Sequence, residues 1–210
     1  MKIKRVIYLI ISILILISCE NANSIKSVNI GNQTWMSDNL NVDFFKNGDK
    51  IEEVKNDDDW KKAILEKKPA WCYYKNDINN GKKFGKIYNW YAIIDERGLA
   101  PDGWRIPNNE DWLELSNYLG GEKIAGTKLK STYGWKNQGN GSNESGFNAL
   151  PGGYRFSNGT FNKIEKYIYW WSISKPKKEN DYWIAYVRFN ESDFNIEDFG
   201  EGCYVRCIKN

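Results

Sequence analysis

The chain has 210 residues, with 30 Lys and Arg against 27 Asp and Glu, no histidine, and an unusual load of rings: 10 Trp, 13 Tyr and 9 Phe. That length supports one sizeable domain, and so many aromatic side chains together with 18 Gly favour a loop-rich, strand-containing globule over a helical bundle. The lack of histidine excludes Ser-His-Asp and Cys-His catalysis and His-ligated zinc or haem, and the near balance of charge leaves no electrostatic footprint for nucleic acid.

Met1 to Arg5 is basic, and Val6 to Ile17 is an apolar run interrupted by Tyr8 and Ser12. A membrane-spanning helix needs about 20 residues, so the run is too short to cross a bilayer but fits the basic and apolar regions of a secretory signal. Leu16-Ile17-Ser18-Cys19 then resembles the bacterial lipoprotein signal, in which cleavage precedes a cysteine that becomes lipidated. Residues 1–18 are accordingly read as a signal peptide, Cys19 as the lipidation site, residues 19–24 as a polar tether and residues 25–210 as a single domain. Loss of Lys2, Lys4 and Arg5 with the signal leaves 27 basic side chains against 27 acidic ones. Each buried methylene contributes roughly 0.8 kcal/mol, so two or three acyl chains would anchor the protein stably. Glu20 stands where an inner-membrane retention signal has Asp, which points to the outer membrane of a Gram-negative bacterium.

Ile25, Val28 and Ile30 before Gly31-Asn32, and Gln33 to Met36 after it, read as a hairpin with a Gly-first turn. Asp57-Asp58-Asp59 ahead of Trp60, Ala63 and Ile64, with Lys67-Lys68-Pro69 beyond, punctuates a short helix. Trp71 to Tyr74 is a candidate buried strand, whereas the periodicity of Tyr88 to Ile94 leaves helix and strand open. The clearest helix begins at Asn108: an Asn cap, early acids, Trp112, Leu115 and Leu119 on one face, and a Gly120-Gly121 stop. Ala125 to Leu129 reads as a further helical turn.

The Asn143 to Ser172 stretch organises the second half. Gly146, Pro151, Gly152 and Gly153 impose an irregular backbone, and the adjacent Trp170 and Trp171 must point to opposite faces of a strand, with at least one of them in the core. Tyr182 to Phe189 alternates as a strand, and Cys203 to Ile208 reads as another. Helices early, strands late and a long irregular middle describe an α+β domain.

Several blocks, in order, then carry a family signature: Ile30-Gly31-Asn32-Gln33-Thr34-Trp35-Met36, Gly85-Lys86-Ile87-Tyr88-Asn89-Trp90-Tyr91-Ala92, Gly103-Trp104-Arg105-Ile106-Pro107, Glu144 to Arg155, Tyr169-Trp170-Trp171-Ser172 and Val205-Arg206-Cys207-Ile208. They resemble the Fibrobacter succinogenes major paralogous domain, typical of secreted or lipid-anchored bacterial proteins. The resemblance implies a C-type-lectin-like fold shared with formylglycine-generating enzymes: short antiparallel sheets, two main helices and long irregular loops. Where family members often carry a cysteine this chain has Ala100, so a disulfide from that position to Cys207 is impossible. Cys203 and Cys207 on one extended strand would lie about 13 Å apart, which leaves Cys72 paired with Cys207 or Cys203 as the expected bridge, against three buried thiols.

The resemblance implies a non-enzymatic binding module displayed at the cell envelope, with a glycan or surface protein as partner besides the membrane that holds its anchor. Exposed rings stack on sugars and Asn, Glu and Arg bond to hydroxyls, so the candidate contacts are Asn143, Glu144, Arg155, Trp170, Trp171, Trp183 and Tyr186. The calcium-site tripeptides of sugar-binding C-type lectins are absent, and neither metal nor cofactor is expected. Two alternatives are a thiol-dependent oxidase using Cys203 and Cys207 on the related enzyme scaffold, and a structural envelope protein.

Overall fold

The structure is a computed structural model that describes residues 25–176, 178, 182–200 and 202–210. The signal peptide, Cys19 and the tether lie outside the described residues.

Strands Ser27–Ile30 (β1) and Gln33–Met36 (β2) form the expected hairpin, in register from Ser27 opposite Met36 to Ile30 opposite Gln33. Gly31 turns it at φ +60°, and a Cβ there would meet the Tyr118 ring at 2.7 Å, so both backbone and packing require glycine. After Glu52–Glu53 (β3), helix Asp57–Leu65 (α1) starts where Asn56 accepts a hydrogen bond from the Asp59 N–H, with three aspartates in the first turn. Trp60 and Ala63 are its buried face.

Ala70–Cys72 (β4) is the predicted strand at Trp71, cut short because Tyr74–Asn76 turns into a 3-10 helix. Ile78–Phe84 (α2), Ile87–Tyr88 (β5) and Trp90–Ile93 (α3) follow. The ambiguous 88–94 segment is therefore strand and then helix. Asn89 makes the switch: its Oδ1 accepts from Ala92 N at 3.1 Å and from Ala70 N at 3.0 Å, while its amide donates to Lys68 O at 2.7 Å. One side chain thus caps α3 and ties it to β4.

Trp104–Arg105 (β6) leads into Asn109–Tyr118 (α4), where Asn108 and Asp111 form a reciprocal capping box. Trp112, Leu115 and Leu119 are buried, as their spacing predicts. Glu122–Leu129 (α5) is longer than the expected single turn. The remaining strands are Tyr154–Arg155 (β7), Phe161–Asn162 (β8), Tyr167–Trp171 (β9), Trp183–Arg188 (β10), Phe194–Asp198 (β11) and Ile208–Lys209 (β12).

Among the described residues four small sheets result, ordered β1-β2-β12-β6, β11-β10-β9, β3-β4-β5 and β7-β8, antiparallel except for the β3–β4 pair. The two longest described helices are α1 and α4, so the architecture is α+β with small sheets and few helices.

The pleat of β9 divides the interior. Ile168 and Trp170 face a core with Trp35, Trp112 and Phe147, whereas Tyr169 and Trp171 face a second core with Trp90, Tyr154 and Tyr186. The two tryptophans do point to opposite faces, yet neither face is open to solvent.

Cys203 to Cys207 corrects the expected closing strand. Only Ile208–Lys209 is strand, because the backbone before it is shared among many partners: Cys203 bridges Tyr88, Tyr204 bridges Trp170, Val205 O accepts from Leu40 N at 2.8 Å and Cys207 O accepts from Met36 N at 3.0 Å. The segment is a threaded pin between sheets.

Candidate functional site

Most ring and charge candidates from the sequence belong to the interior. Arg155 is fully buried on β7: its Nε donates to Gly159 O at 2.8 Å, Nη1 to Val54 O at 3.0 Å, and Nη2 to Asn56 O at 2.9 Å and Asp57 Oδ1 at 3.2 Å. The guanidinium lies over the rings of Trp60 and Phe161. It fastens the β7–β8 hairpin to the start of α1 and has no face left for a ligand. Trp170 is likewise sealed, its Nε1–H donating to Asn39 Oδ1 at 2.9 Å. Tyr186 is buried, with its hydroxyl accepting from Arg188 at 2.6 Å. The structure buries all three candidate contacts: Trp170 and Tyr186 lie in the two cores on either side of β9, and Arg155 lies in its own shell of carbonyls.

Asn143 is half-buried at φ +50°, and its Oδ1 accepts from Asn148 N at 2.8 Å, so it shapes the loop. Glu144 is exposed and pairs with Lys128 at 3.3 Å, a contact worth little in water. Trp183 is half-buried, its Nε1–H donating to Lys175 O at 3.2 Å. The structure does not gather these residues into one place.

It does form a cleft around Trp171. A cavity of about 240 Å³ is lined by Asn89, Trp90, Tyr91, Trp171, Tyr182 and Gly202, with Ile64, Ser157 and Gly200 completing the wall. Trp90 and Tyr182 stack at 4.3 Å with their planes 17° apart, and Trp171 meets Trp90 at 5.5 Å and Tyr182 at 6.1 Å. The Trp171 Nε1–H donates to Tyr88 O at 2.9 Å, which fixes that ring as a floor. Gly202 must be small here, since a Cβ would meet Trp60 Cζ2 at 2.5 Å. Of the sequence candidates only Trp171 lines this cleft. Trp90, Tyr91 and Tyr182 were legible as aromatics, but their convergence depends on Asn89 turning the chain and on β10 pairing with β9.

The expected Cys72 bridge to Cys207 or Cys203 is not formed: all three are buried thiols. Burial pushes the Cys72 thiol up to about 12, with nearby Arg155 opposing, and the Cys207 thiol up to about 12, with Arg206 opposing. Both are therefore protonated at neutral pH. Iodoacetamide at pH 8 is expected to spare Cys72 and Cys207 in the folded protein and to alkylate them in urea without reductant, as read by peptide mass spectrometry. A requirement for reductant would show that a bridge exists after all. Among the described residues no group of three or more His, Cys, Asp or Glu side chains is placed to hold a metal ion, and no helix is long and apolar enough to cross a membrane.

The molecule is thus an α+β domain of small sheets pinned by buried arginines and tryptophans, with an aromatic cleft beside α3. The chain belongs to the Fibrobacter succinogenes major domain family, whose model matches residues 28–209. No curated protein and no solved structure matches it.

Proposed function

We propose that the protein is a cell-envelope lipoprotein, anchored through Cys19 to the outer membrane, that displays a non-enzymatic binding module of C-type-lectin-like fold, and that the aromatic cleft is its ligand site. The observation that carries this reading is the convergence of Trp90, Tyr91, Trp171 and Tyr182 on one cavity of about 240 Å³. Aromatic faces stack on the apolar faces of sugar rings, and a cavity below the usual 300–1,000 Å³ of drug-sized pockets suits a single ring at a chain end. Ser157 and the backbone at Gly200 and Gly202 supply polar lining. The favoured ligand is a saccharide, held without calcium.

The test is a glycan array probed with the purified protein, with and without EDTA, followed by Tyr91→Ala and Tyr182→Ala. Both side chains are half-buried at the cleft. A ring stack is worth about 1 kcal/mol beyond the area it buries, so each variant is expected to weaken binding about five- to tenfold. An array without binding, or a glycan held equally by both variants, would defeat the saccharide reading. A protein partner captured from intact cells and lost in Tyr182→Ala would reassign the cleft to protein recognition.

A further inference from the structure

A second cavity, of about 370 Å³, opens where the loop after β2 meets α2, and its lining is basic: Lys26, Lys82, Lys83 and Arg206 against one carboxylate, Asp38. Arg206 is unlike the lysines, being only 2% exposed. Its Nε donates to Asn39 Oδ1 at 3.0 Å, and Nη1 donates to Met36 O at 3.1 Å, Ser37 O at 2.7 Å and Phe147 O at 2.7 Å. The guanidinium is therefore fixed in orientation, with Phe147 beneath it at 4.4 Å. Nη2 has no hydrogen-bond partner among the described residues, and Arg206 forms no ion pair there. It contrasts with Arg155, whose Nη2 reaches both a carbonyl and a carboxylate.

A buried cation held only by neutral oxygens has lost its water and gained no opposite charge. Burial pulls the Arg206 guanidinium down to about 9, with Asp38 opposing, so it is still charged at neutral pH. Lys26 and Lys82 form no ion pair among the described residues either, and Lys83 lies over the Phe84 ring at 4.8 Å. Fixed N–H donors at the base and mobile ammonium groups at the rim are the elements of a phosphate site.

We propose that this pocket binds a phosphate group, with the Arg206 Nη2 edge as the oriented donor and Lys26, Lys82 and Lys83 as the surrounding charge. The phosphate could be carried by a soluble sugar phosphate or by a phospholipid headgroup. The pocket is separate from the aromatic cleft, so the two stand or fall independently.

Isothermal titration of the purified full-length protein with inorganic phosphate, against chloride at equal ionic strength, tests the site. Binding is expected for the unmodified protein, and the Lys82→Glu/Lys83→Glu double variant, altered only at exposed positions, is expected to bind at least tenfold more weakly. Arg206→Lys keeps the charge but loses the fixed fork, and is expected to weaken binding similarly wherever its circular dichroism and melting curve show a folded protein. Co-sedimentation with phosphatidylglycerol vesicles, against phosphatidylcholine alone, separates the sources. Sedimentation reduced both by inorganic phosphate and by the double variant assigns a headgroup, and phosphate binding without that sensitivity assigns a soluble ligand. No phosphate binding at tens of millimolar, or undiminished binding in the double variant, would overturn the proposal.

Discussion

Arg155→Ala is expected to lower the unfolding free energy by about 4 kcal/mol, the range for removing one partner of a buried charged network. The guanidinium spans β7, the end of β3 and the start of α1, so its loss strands the carbonyls of Val54 and Gly159 without their arginine donors, while Asn56 O keeps the Trp60 N–H. Each orphaned buried acceptor costs about 1–3 kcal/mol, and the stacking on Trp60 and Phe161 goes with it. The ion pair with Asp57 is a minor part, because that carboxylate is 57% exposed. Asp57→Asn should therefore cost under about 1 kcal/mol in the same urea titration. In a domain of this size the alanine variant should melt about 8–16 °C lower. If Asp57→Asn proved as damaging as Arg155→Ala, the carbonyl network would not be what matters at this position.

Trp112→Ala should be comparably severe, at about 3–5 kcal/mol. Trp112 has no solvent exposure and touches four rings, with Trp35 at 4.6 Å, Trp170 at 5.8 Å, Phe194 at 5.9 Å and Phe147 at 6.3 Å. The space left would border α4, β2, β9 and β11 at once, and such a junction cannot collapse around a methyl group. Its indole N–H finds no acceptor among the described residues. Trp112→Phe should therefore be distinctly milder, since it removes area without abandoning a hydrogen bond. Equal losses for the two variants in urea denaturation would contradict the packing account.

Local signals in this chain were reliable wherever the deciding interaction is itself local. Asn108 with Asp111, and Asn56 with Asp59, cap their helices within one turn, and the Gly31-Asn32 turn sets its own hairpin. The α+β class followed from those elements. What periodicity could not convey was threading. Cys203 to Cys207 looks like a strand by composition, but its backbone groups are divided among partners that no window of sequence contains. The same limit hid the functional geometry. The pleat places Trp170 and Trp171 on opposite faces with at least one in the core, but it could not tell that β9 has a core on each side and that both are buried. Arg155 is a candidate contact in the sequence because nothing in its neighbours along the chain announces a shell of distant carbonyls, and the similar shell around Arg206 has no local signal either.

The threaded segment also sets an order of events in biosynthesis. Residues 202–209 bond to Arg155, Tyr88, Trp170, Leu40, Met36 and Arg105, so the first sheet cannot close and β9 cannot be seated until that late stretch has been made. Such pairings across most of the chain length form slowly, because the loop must be closed before any contact rewards it. A nascent chain interrupted before residue 202 would hold helices and a hairpin but no completed interior.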